Sequence, residues 1–197
     1  MILTSLKKGF TLVELMVVIT IMAIVTSIVL FNNRDLNSSL LVSNTAYEIN
    51  LLVREVQTYG LGVVGTDNTS TGFTYGQGVH FDMVTPDQVI SFADKDDNKA
   101  YSGPSENIHV YKLNTERAGS LLSICTVDVG GICNTLSGGT GVDVVFKRPN
   151  PEATFTVSGL EIGGPVVINL GFSTNKMCRS IIIQKTGSIQ INQQYCI

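Results

Sequence analysis

The feature that most constrains this chain is an apolar run near its N-terminus. Residues 10–31 include one charged residue, Glu14, and neither Gly nor Pro. As an α-helix these 22 residues would be about 33 Å long at 1.5 Å per residue. That length matches the hydrocarbon core of a bilayer, which is about 30 Å thick. The run therefore predicts a helix that inserts into a membrane.

The residues before this run are few and basic. Residues 1–9 include Lys7 and Lys8 and no acidic residue, so the positive-inside tendency keeps this end in the cytosol. A secretory signal peptide would have a shorter apolar stretch followed by a small-x-small cleavage site, and none follows Leu30. The apolar helix is therefore expected to remain in the mature protein. An uncleaved signal anchor stays open as an alternative.

Glu14 is the unusual residue of the apolar run. A carboxylate inside a membrane helix costs about 2.5 to 3.5 kcal/mol on insertion scales and persists mainly with a partner. Residues 10–31 contain no Lys, Arg or His that could be this partner. A free amine created by cutting the chain before Phe10 would supply one, in the same chain or in a neighbouring copy.

The stretch that begins at Lys7 reads Lys-Lys-Gly-Phe-Thr-Leu-Val-Glu-Leu and closely resembles the processing site of type IV prepilins and type II secretion pseudopilins. The shared features are a basic leader, Gly9, Phe10, and Glu14 at the start of an apolar helix. The resemblance implies that prepilin peptidase cuts between Gly9 and Phe10 and methylates the new amine. It also implies that Glu14 neutralises the Phe10 amine of an adjacent subunit. The chain departs from the resemblance in one respect. Many filament-forming members have a helix-kinking Pro near the outer end of the apolar segment, whereas this chain has no Pro before Pro86.

Beyond the membrane segment the pattern becomes that of an amphipathic helix. Apolar residues recur at steps of four and three and predict one buried face, formed by Val42, Ala46, Ile49, Val53 and Val56. Asn50, Arg54 and Gln57 are expected to point elsewhere. Gly60 and Gly62 then predict the end of the helix. The result is one helix of about fifty residues, half in lipid and half covered by a head.

The last turns of this helix, Arg54-Glu55-Val56-Gln57, also resemble the H-type minor pseudopilins and related minor pilins. In those proteins the stalk often ends in an Arg-x-x-Gln run. This resemblance implies a minor subunit that is present in few copies. A helix surface chosen only for solubility stays open as the alternative.

The rest of the chain alternates short β-branched runs with turn residues. After a loop at 61–78 that is rich in Gly, Thr and Ser, nine runs predict strands at 79–83, 89–92, 108–113, 121–127, 142–146, 154–157, 166–172, 180–184 and 188–192. Lys185, Thr186 and Gly187 predict a hairpin loop. The predicted fold is α+β and pilin-like, with a long N-terminal helix packed on an antiparallel β-sheet head.

These predictions divide the chain into four parts. They are a cleaved basic leader at 1–9, the membrane-inserting half of the helix at 10–31, an amphipathic stalk helix at 32–60 and an extracytoplasmic β-rich head at 61–197. The resemblance implies a single-pass protein of the cytoplasmic (inner) membrane that enters a filament after assembly. The implied partners are prepilin peptidase, other pilin or pseudopilin subunits, an assembly-platform membrane protein and the lipid bilayer.

The four cysteines fall as two pairs along the sequence, Cys125 with Cys133 and Cys178 with Cys196. Neither pair has C-x-x-C spacing, so neither metal binding nor redox catalysis is indicated. Four cysteines allow three pairings, of which local pairing is the simplest, and disulfides persist in oxidising compartments. Buried reduced thiols stay open as the alternative. A Cys178–Cys196 pair would resemble the disulfide-bounded C-terminal region of many pilins.

One acidic run in the head has the spacing of a calcium loop. Asp94, Asp96 and Asn98 place oxygen ligands at alternate positions, and some pseudopilins bind calcium in loops of the head. Against a calcium loop, Lys99 stands where an EF-hand needs Gly, and Glu106 comes one residue after the position of the acidic ligand. Bound Ca²⁺ and a solvated turn both stay open, and no other cofactor is expected.

Patterns typical of enzymes are missing from the sequence. His80 and His109 lie in predicted strands without a nucleophile motif, and the sequence has no G-x-S-x-G, P-loop or H-E-x-x-H pattern. The chain is therefore not expected to be an enzyme. It is not expected to bind nucleic acid either, because the formal net charge of −3 becomes −5 when Lys7 and Lys8 leave with the leader.

The leading functional hypothesis is a structural one. The chain is interpreted as a subunit, most like a minor one, of a type II secretion pseudopilus or a type IV pilus. The alternative is a minor pilin whose head binds a ligand such as DNA or a surface receptor.

Overall fold

The structure is a computed structural model that describes residues 9–62, 75–115, 119–127, 130–136, 140–172 and 177–192. Within these ranges the side chains of residues 31–38, 172 and 177 are not described. The chain forms two units, Met1–Asn37 and Ser38–Ile197. Most of the predicted loop at 61–78 lies outside the described residues.

A single helix, α1, spans Leu12–Leu61 and has 50 residues, as the sequence predicts. Its first part, Leu12–Leu30, is long and apolar enough to cross a membrane, by length and composition alone. None of this part is buried within the protein. The helix begins at Leu12, two residues after the predicted start at Phe10.

In the second unit α1 buries the apolar face that the sequence predicts. The residues of this face are at most 3% exposed, and they are Val42, Ala46, Ile49, Val53 and Val56. All but Val42 belong to the main hydrophobic core, which also contains apolar residues from strands early and late in the head. The amphipathic pattern therefore predicted the packed face correctly.

Gly60 has a packing role near the end of α1. A Cβ atom at Gly60 would lie 2.4 Å from the carbonyl oxygen of Phe146, so the helix approaches a strand with its main chain. Gly60 lies inside the helix, which ends one residue later at Leu61. The sequence indicated only the nearby end of the helix, because a contact with residue 146 leaves no local pattern.

The described part of the head contains strands on either side of one short 3-10 helix at Pro104–Glu106. The strands are β1 (Gly76–Phe81), β2 (Gln88–Asp94), β3 (Asn107–Lys112), β4 (Ser120–Val127), β5 (Cys133–Thr135), β6 (Val142–Lys147), β7 (Asn150–Val157), β8 (Leu160–Ile162), β9 (Val166–Phe172), β10 (Met177–Ile183) and β11 (Ile189–Asn192). All nine predicted strands are present. The two missed strands, β5 and β8, have three residues each and lack a β-branched run.

The strands form two antiparallel sheets. The first has the order β3-β2-β1-β6-β7-β8 and the second has the order β11-β10-β9-β4-β5. The α+β prediction is confirmed, but the head has two sheets where the sequence analysis expected one. One helical stripe is too narrow to cover so many strands, and the main core joins apolar residues of α1 and of both sheets.

The turn between β10 and β11 agrees with the predicted hairpin loop. The backbone N–H of Gly187 donates to the carbonyl oxygen of Gln184 at 2.8 Å, and the N–H of Gln184 donates to Ser188 at 2.9 Å. Gly187 has a φ of 81°, a left-handed conformation that glycine adopts without steric cost. Glycine therefore suits position 187, because the turn requires this left-handed backbone conformation.

Candidate functional site

The bond predicted to be cleaved lies in exposed, irregular backbone. Gly9 and Phe10 belong to neither a helix nor a strand, and Phe10 is 82% exposed. The basic residues Lys7 and Lys8 lie outside the described residues. Gly9 and Phe10 are accessible to a peptidase, because no helix or strand would have to open at these two residues before cleavage.

Thr11 is the N-terminal cap of α1. Its Oγ1 accepts a hydrogen bond from the backbone N–H of Glu14 at 3.2 Å, and its carbonyl oxygen accepts one from the N–H of Leu15. Thr followed by Glu three residues later is the sequence of a capping box. Sequence reasoning missed this role, although the Thr-x-x-Glu spacing was readable. The cap explains why the helix begins at Leu12 and not at Phe10.

Glu14 consequently lies in the first turn of the helix. The unpaired N–H groups of a helix N-terminus carry a partial positive charge that favours a carboxylate at this position. Glu14 is exposed and forms no ion pair with any residue that the structure describes. Pairing of its carboxylate with the protonated Phe10 amine of another subunit stays a prediction.

The acidic loop that follows β2 brings three carboxylates together. One oxygen atom each of Asp94, Asp96 and Glu106 lies within 4.8 Å of the other two. Glu106 joins the group because the short helix Pro104–Glu106 returns the chain toward β2. There it accepts hydrogen bonds from the backbone N–H groups of Lys95 at 3.1 Å and Ser102 at 2.8 Å.

Asn98, the third predicted calcium ligand, both donates and accepts hydrogen bonds in this loop, and its Oδ1 accepts from the backbone N–H of Ala100 at 2.7 Å. Its backbone N–H donates to Asp94 Oδ1 at 3.0 Å, and its Nδ2 donates to Asp96 Oδ2 at 3.0 Å. Glu106, which was not among the predicted ligands, lies with the two aspartates. In the sequence, Glu106 comes one residue after the position at which an EF-hand has its acidic ligand. This loop therefore does not follow the spacing of an EF-hand.

Burial controls the ionisation of Asp94. The residue is 1% exposed, and burial raises the pKa of its carboxyl from 3.8 to about 6. Hydrogen bonds from the backbone N–H groups of Lys99 and Asn98 act in the opposite direction and lower the pKa. Three carboxylates at this spacing could hold a divalent cation, but each already accepts hydrogen bonds within the loop. Calcium binding stays a prediction.

The cysteines support a head stabilised by disulfides. Cys125 and Cys133 form a disulfide that links β4 to the short strand β5, with their Cα atoms 5.5 Å apart. Cys178 on β10 is also disulfide-bonded. Cys196, its predicted partner, lies outside the described residues.

The two histidines are separated by β2 in the first sheet. His80 Nδ1 lies 2.6 Å from Asp143 Oδ1 on the neighbouring strand β6, and its ring packs against Tyr101 with centroids 4.7 Å apart. His109 is exposed on β3. The structure therefore does not bring the histidines together, and it gives His80 a structural partner.

The Arg-x-x-Gln run contacts the last hairpin. Gln57 Nε2 donates to the carbonyl oxygen of Gly187 at 3.1 Å, and Arg54 Nη2 donates to that of Ile189 at 3.5 Å. Both side chains were expected to point away from the packed face. They lie beside that face and hold the β10–β11 turn against the helix. Each of these hydrogen bonds joins residues that are 130 or more positions apart in the sequence.

Comparison with known proteins assigns the N-terminal segment. Residues 4–30 match the family model described as the prokaryotic N-terminal methylation motif. No curated protein and no solved structure matches the chain. The motif match supports a type IV pilin-like subunit that is processed by prepilin peptidase and assembles with other such subunits. It covers the cap and the apolar part of α1 and ends before the head.

Proposed function

We propose that this chain is a structural subunit of a type IV pilus or a type II secretion pseudopilus. Prepilin peptidase cuts it after Gly9 and methylates the amine of Phe10, and the subunit then assembles through its apolar helix. One observation carries the proposal. The segment that matches the methylation motif places an exposed Gly9–Phe10 bond directly before a capped, unburied apolar helix.

Glu14 has the central part in assembly. Its carboxylate pairs with the methylated Phe10 amine of the next subunit, because both charges are costly in lipid and each satisfies the other. The absence of an ion pair for Glu14 among the described residues supports this role. The same pairing sets the axial position of one helix against the next.

Before assembly the chain is a single-pass protein of the cytoplasmic membrane with an extracytoplasmic head. The basic leader favours this orientation. The Cys125–Cys133 disulfide supports it, because disulfides persist in oxidising compartments. The partners are the peptidase, an assembly-platform membrane protein and the neighbouring subunits.

Within such a filament we assign the chain to the minor subunits. The support is the resemblance of the Arg54–Gln57 run to the H-type minor pseudopilins. The alternative function, a minor pilin whose head binds a ligand, is favoured by a cleft in the head between α1 and β3. Duplex DNA is a poor ligand for a chain whose net charge after cleavage is −5.

Mass spectrometry of the mature chain tests the proposal. In a strain with active prepilin peptidase the N-terminus should be a methylated Phe10. In a strain without the peptidase the chain should still begin at Met1. A chain that begins at Met1 in both strains would contradict the proposal.

A further inference from the structure

A second apolar stripe lies along the part of α1 that belongs to the second unit. Four exposed residues form this stalk stripe, and they are Leu40, Asn44, Tyr47 and Leu51. The three apolar members are 64%, 59% and 65% exposed. At about 100° per residue the stripe lies on the side of the helix opposite its buried face. Single exposed apolar residues are common, but three aligned on one helix face form a patch of the kind that binds a partner.

The spacing of the stalk stripe is that of a seam between two helices. Its residues follow one another at steps of four, three and four, which are the steps between positions d, a, d and a of a heptad. Seams of this spacing pack against a second helix at a crossing angle of about 20°. The stripe ends at Leu51, since the next d position is Arg54, whose guanidinium donates to the carbonyl oxygen of Ile189 in its own head. The surface therefore suits another helix as its partner.

Asn44 indicates which helix that is. It occupies an a position and is exposed. In a parallel pair of helices, an Asn at an a position faces the same position of the other helix, and this contact specifies register and oligomeric state. Against an apolar side chain, its amide would be buried without a hydrogen bond. A second copy of this chain in register places Asn44 against Asn44 and Leu51 against Leu51, and so satisfies both the polar and the apolar positions.

The charges beside the stalk stripe favour a parallel pair. The e positions on one side are Glu48 and Glu55, and the g positions on the other side are Ser43 and Asn50. In a parallel pair the e positions of one helix face the g positions of the other, so each acidic residue meets an uncharged one. In an antiparallel pair the e positions would face each other and the glutamates would repel.

Membrane anchoring produces the same arrangement. Two copies held in one membrane by the same segment are parallel and present the same residue at the same height. Three apolar side chains bury much less than the about 1,200–2,000 Å² of a stable interface, so the stripe alone is too small to hold a dimer in solution. Confinement to a membrane raises the effective concentration of the second copy.

We propose that two copies of this chain pair through the stalk stripe while they are in the membrane, with their helices parallel and in register, before they enter a filament. The proposal rests on the membrane anchoring that belongs to the proposed function. It adds a contact between identical subunits that does not involve the Phe10 amine.

Cysteine cross-linking of the full chain in membranes tests the pairing. The strain lacks prepilin peptidase, so the chain keeps its leader and contacts within filaments do not contribute. Asn44→Cys and Leu51→Cys, each expressed alone, should form disulfide-linked dimers on mild oxidation, because each position faces itself in a parallel pair in register. Cys125, Cys133 and Cys178 are already disulfide-bonded and do not compete.

Leu160→Cys is the matched control for accessibility. Leu160 is 72% exposed on β8, so it is at least as accessible as the stalk stripe but does not belong to it. This variant should remain monomeric. Equal cross-linking at Leu160 would indicate random collision and would overturn the proposal. Cross-links that form only when Asn44→Cys and Leu51→Cys chains are mixed would indicate staggered helices and would overturn it as well.

Tyr47→Glu tests the contribution of the stripe itself. In the Asn44→Cys background it should reduce the dimer fraction about fivefold or more, because it removes a central tyrosine and places two like charges opposite each other. Leu160→Glu adds the same charge outside the stripe and should leave the dimer fraction unchanged. Tyr47 is exposed, so its substitution does not reach the core. An unchanged dimer fraction in Tyr47→Glu would contradict the pairing.

The outcome is separable from that of the proposed function. A chain that is found in the membrane, and that is cleaved after Gly9 in a strain with the peptidase, but that does not cross-link would overturn the pairing alone. A chain that is absent from the membrane fraction would overturn the anchoring and the pairing together.

Discussion

The hydroxyl oxygen of Thr11 accepts a hydrogen bond from the backbone N–H of Glu14 at 3.2 Å. The main chain of Glu14 thus belongs to the start of the helix, while its carboxylate has no ion-pair partner among the described residues. The structural role of this residue and its proposed assembly role lie on different atoms. They can be separated by substitution.

Glu14→Gln should abolish incorporation into filaments without affecting membrane insertion or cleavage. The variant keeps the size of the side chain and the backbone N–H that Thr11 binds, and it removes only the charge that would pair with the Phe10 amine. The measurements are the membrane fraction, the mass of the N-terminus and the amount of the chain in sheared filaments.

Thr11→Val is the matched control for Glu14→Gln. It removes the cap, which costs about 0.5 to 2 kcal/mol of helix stability, and keeps the charge of Glu14. Filament incorporation should persist in this variant. Normal incorporation of Glu14→Gln, or equal loss in both variants, would contradict the role given to the carboxylate.

Gly60→Ala should destabilise the head by up to about 2 kcal/mol. The added Cβ would lie 2.4 Å from the carbonyl oxygen of Phe146, and overpacking of this kind costs about 1 to 3 kcal/mol. The gain of about 1 kcal/mol in helix propensity offsets part of that cost. Thermal unfolding of the full chain in detergent, followed by circular dichroism, measures the difference.

Thr58→Ala serves as the control for Gly60→Ala. Thr58 is exposed on the same helical turn, and its hydroxyl donates to the carbonyl oxygen of Arg54 within the helix. Its substitution should change stability by no more than about 0.5 kcal/mol. If Gly60→Ala is as stable as Thr58→Ala, the close approach of helix and strand is not a constraint.

Gln57→Ala should loosen the β10–β11 hairpin at a cost of about 1 kcal/mol, the net value of a typical hydrogen bond. The substitution leaves the carbonyl oxygen of buried Gly187 without its donor. Hydrogen exchange should be faster at the amides of Gln184 and Gly187. Arg54→Ala should have a smaller effect, because its 3.5 Å hydrogen bond is weaker. Unchanged exchange in Gln57→Ala would show that the turn is stable by itself.

The stability of the head should fall as the pH rises toward 6. Because the pKa of Asp94 is about 6 in the folded protein and 3.8 in the unfolded chain, the folded state holds this proton more tightly. The resulting stabilisation is fully present below pH 3.8 and is lost as the pH rises through about 6. Unfolding midpoints measured from pH 3 to pH 8 check this direction.

Asp94→Asn isolates this contribution, since an amide does not titrate in the same range. The variant should lose the decline in stability between pH 3.8 and about 6. Asp87→Asn, which changes an exposed acid that does not act on the pKa of Asp94, should keep it. A decline of equal size in Asp94→Asn would assign the pH dependence to another group.

Local patterns in the sequence predicted much of this fold. The spacing of Val42, Ala46 and Ile49 identified the buried helical face because periodicity alone defines it. The turn at Gly187 was predictable for the same reason, since its neighbours in space are also its neighbours in sequence. The Thr11 cap was equally local and would have been found by applying the capping-box spacing.

The remaining features depend on contacts between distant parts of the chain. The division into two sheets, the contact of Gly60 with Phe146 and the approach of Glu106 to Asp94 each follow from strand order and register. No spacing along the sequence carries this information.

The contact between Gly60 and Phe146 has a mechanical consequence. Main chain meets main chain there, with no flexible side chain between them to take up strain. A force on this turn of the helix would therefore reach β6 directly, in parallel with the core contacts of Val53 and Val56. β6 lies inside its sheet, with β1 on one side and β7 on the other. At this contact the helix therefore meets a strand that two ladders of hydrogen bonds hold, and not an edge strand that one ladder holds.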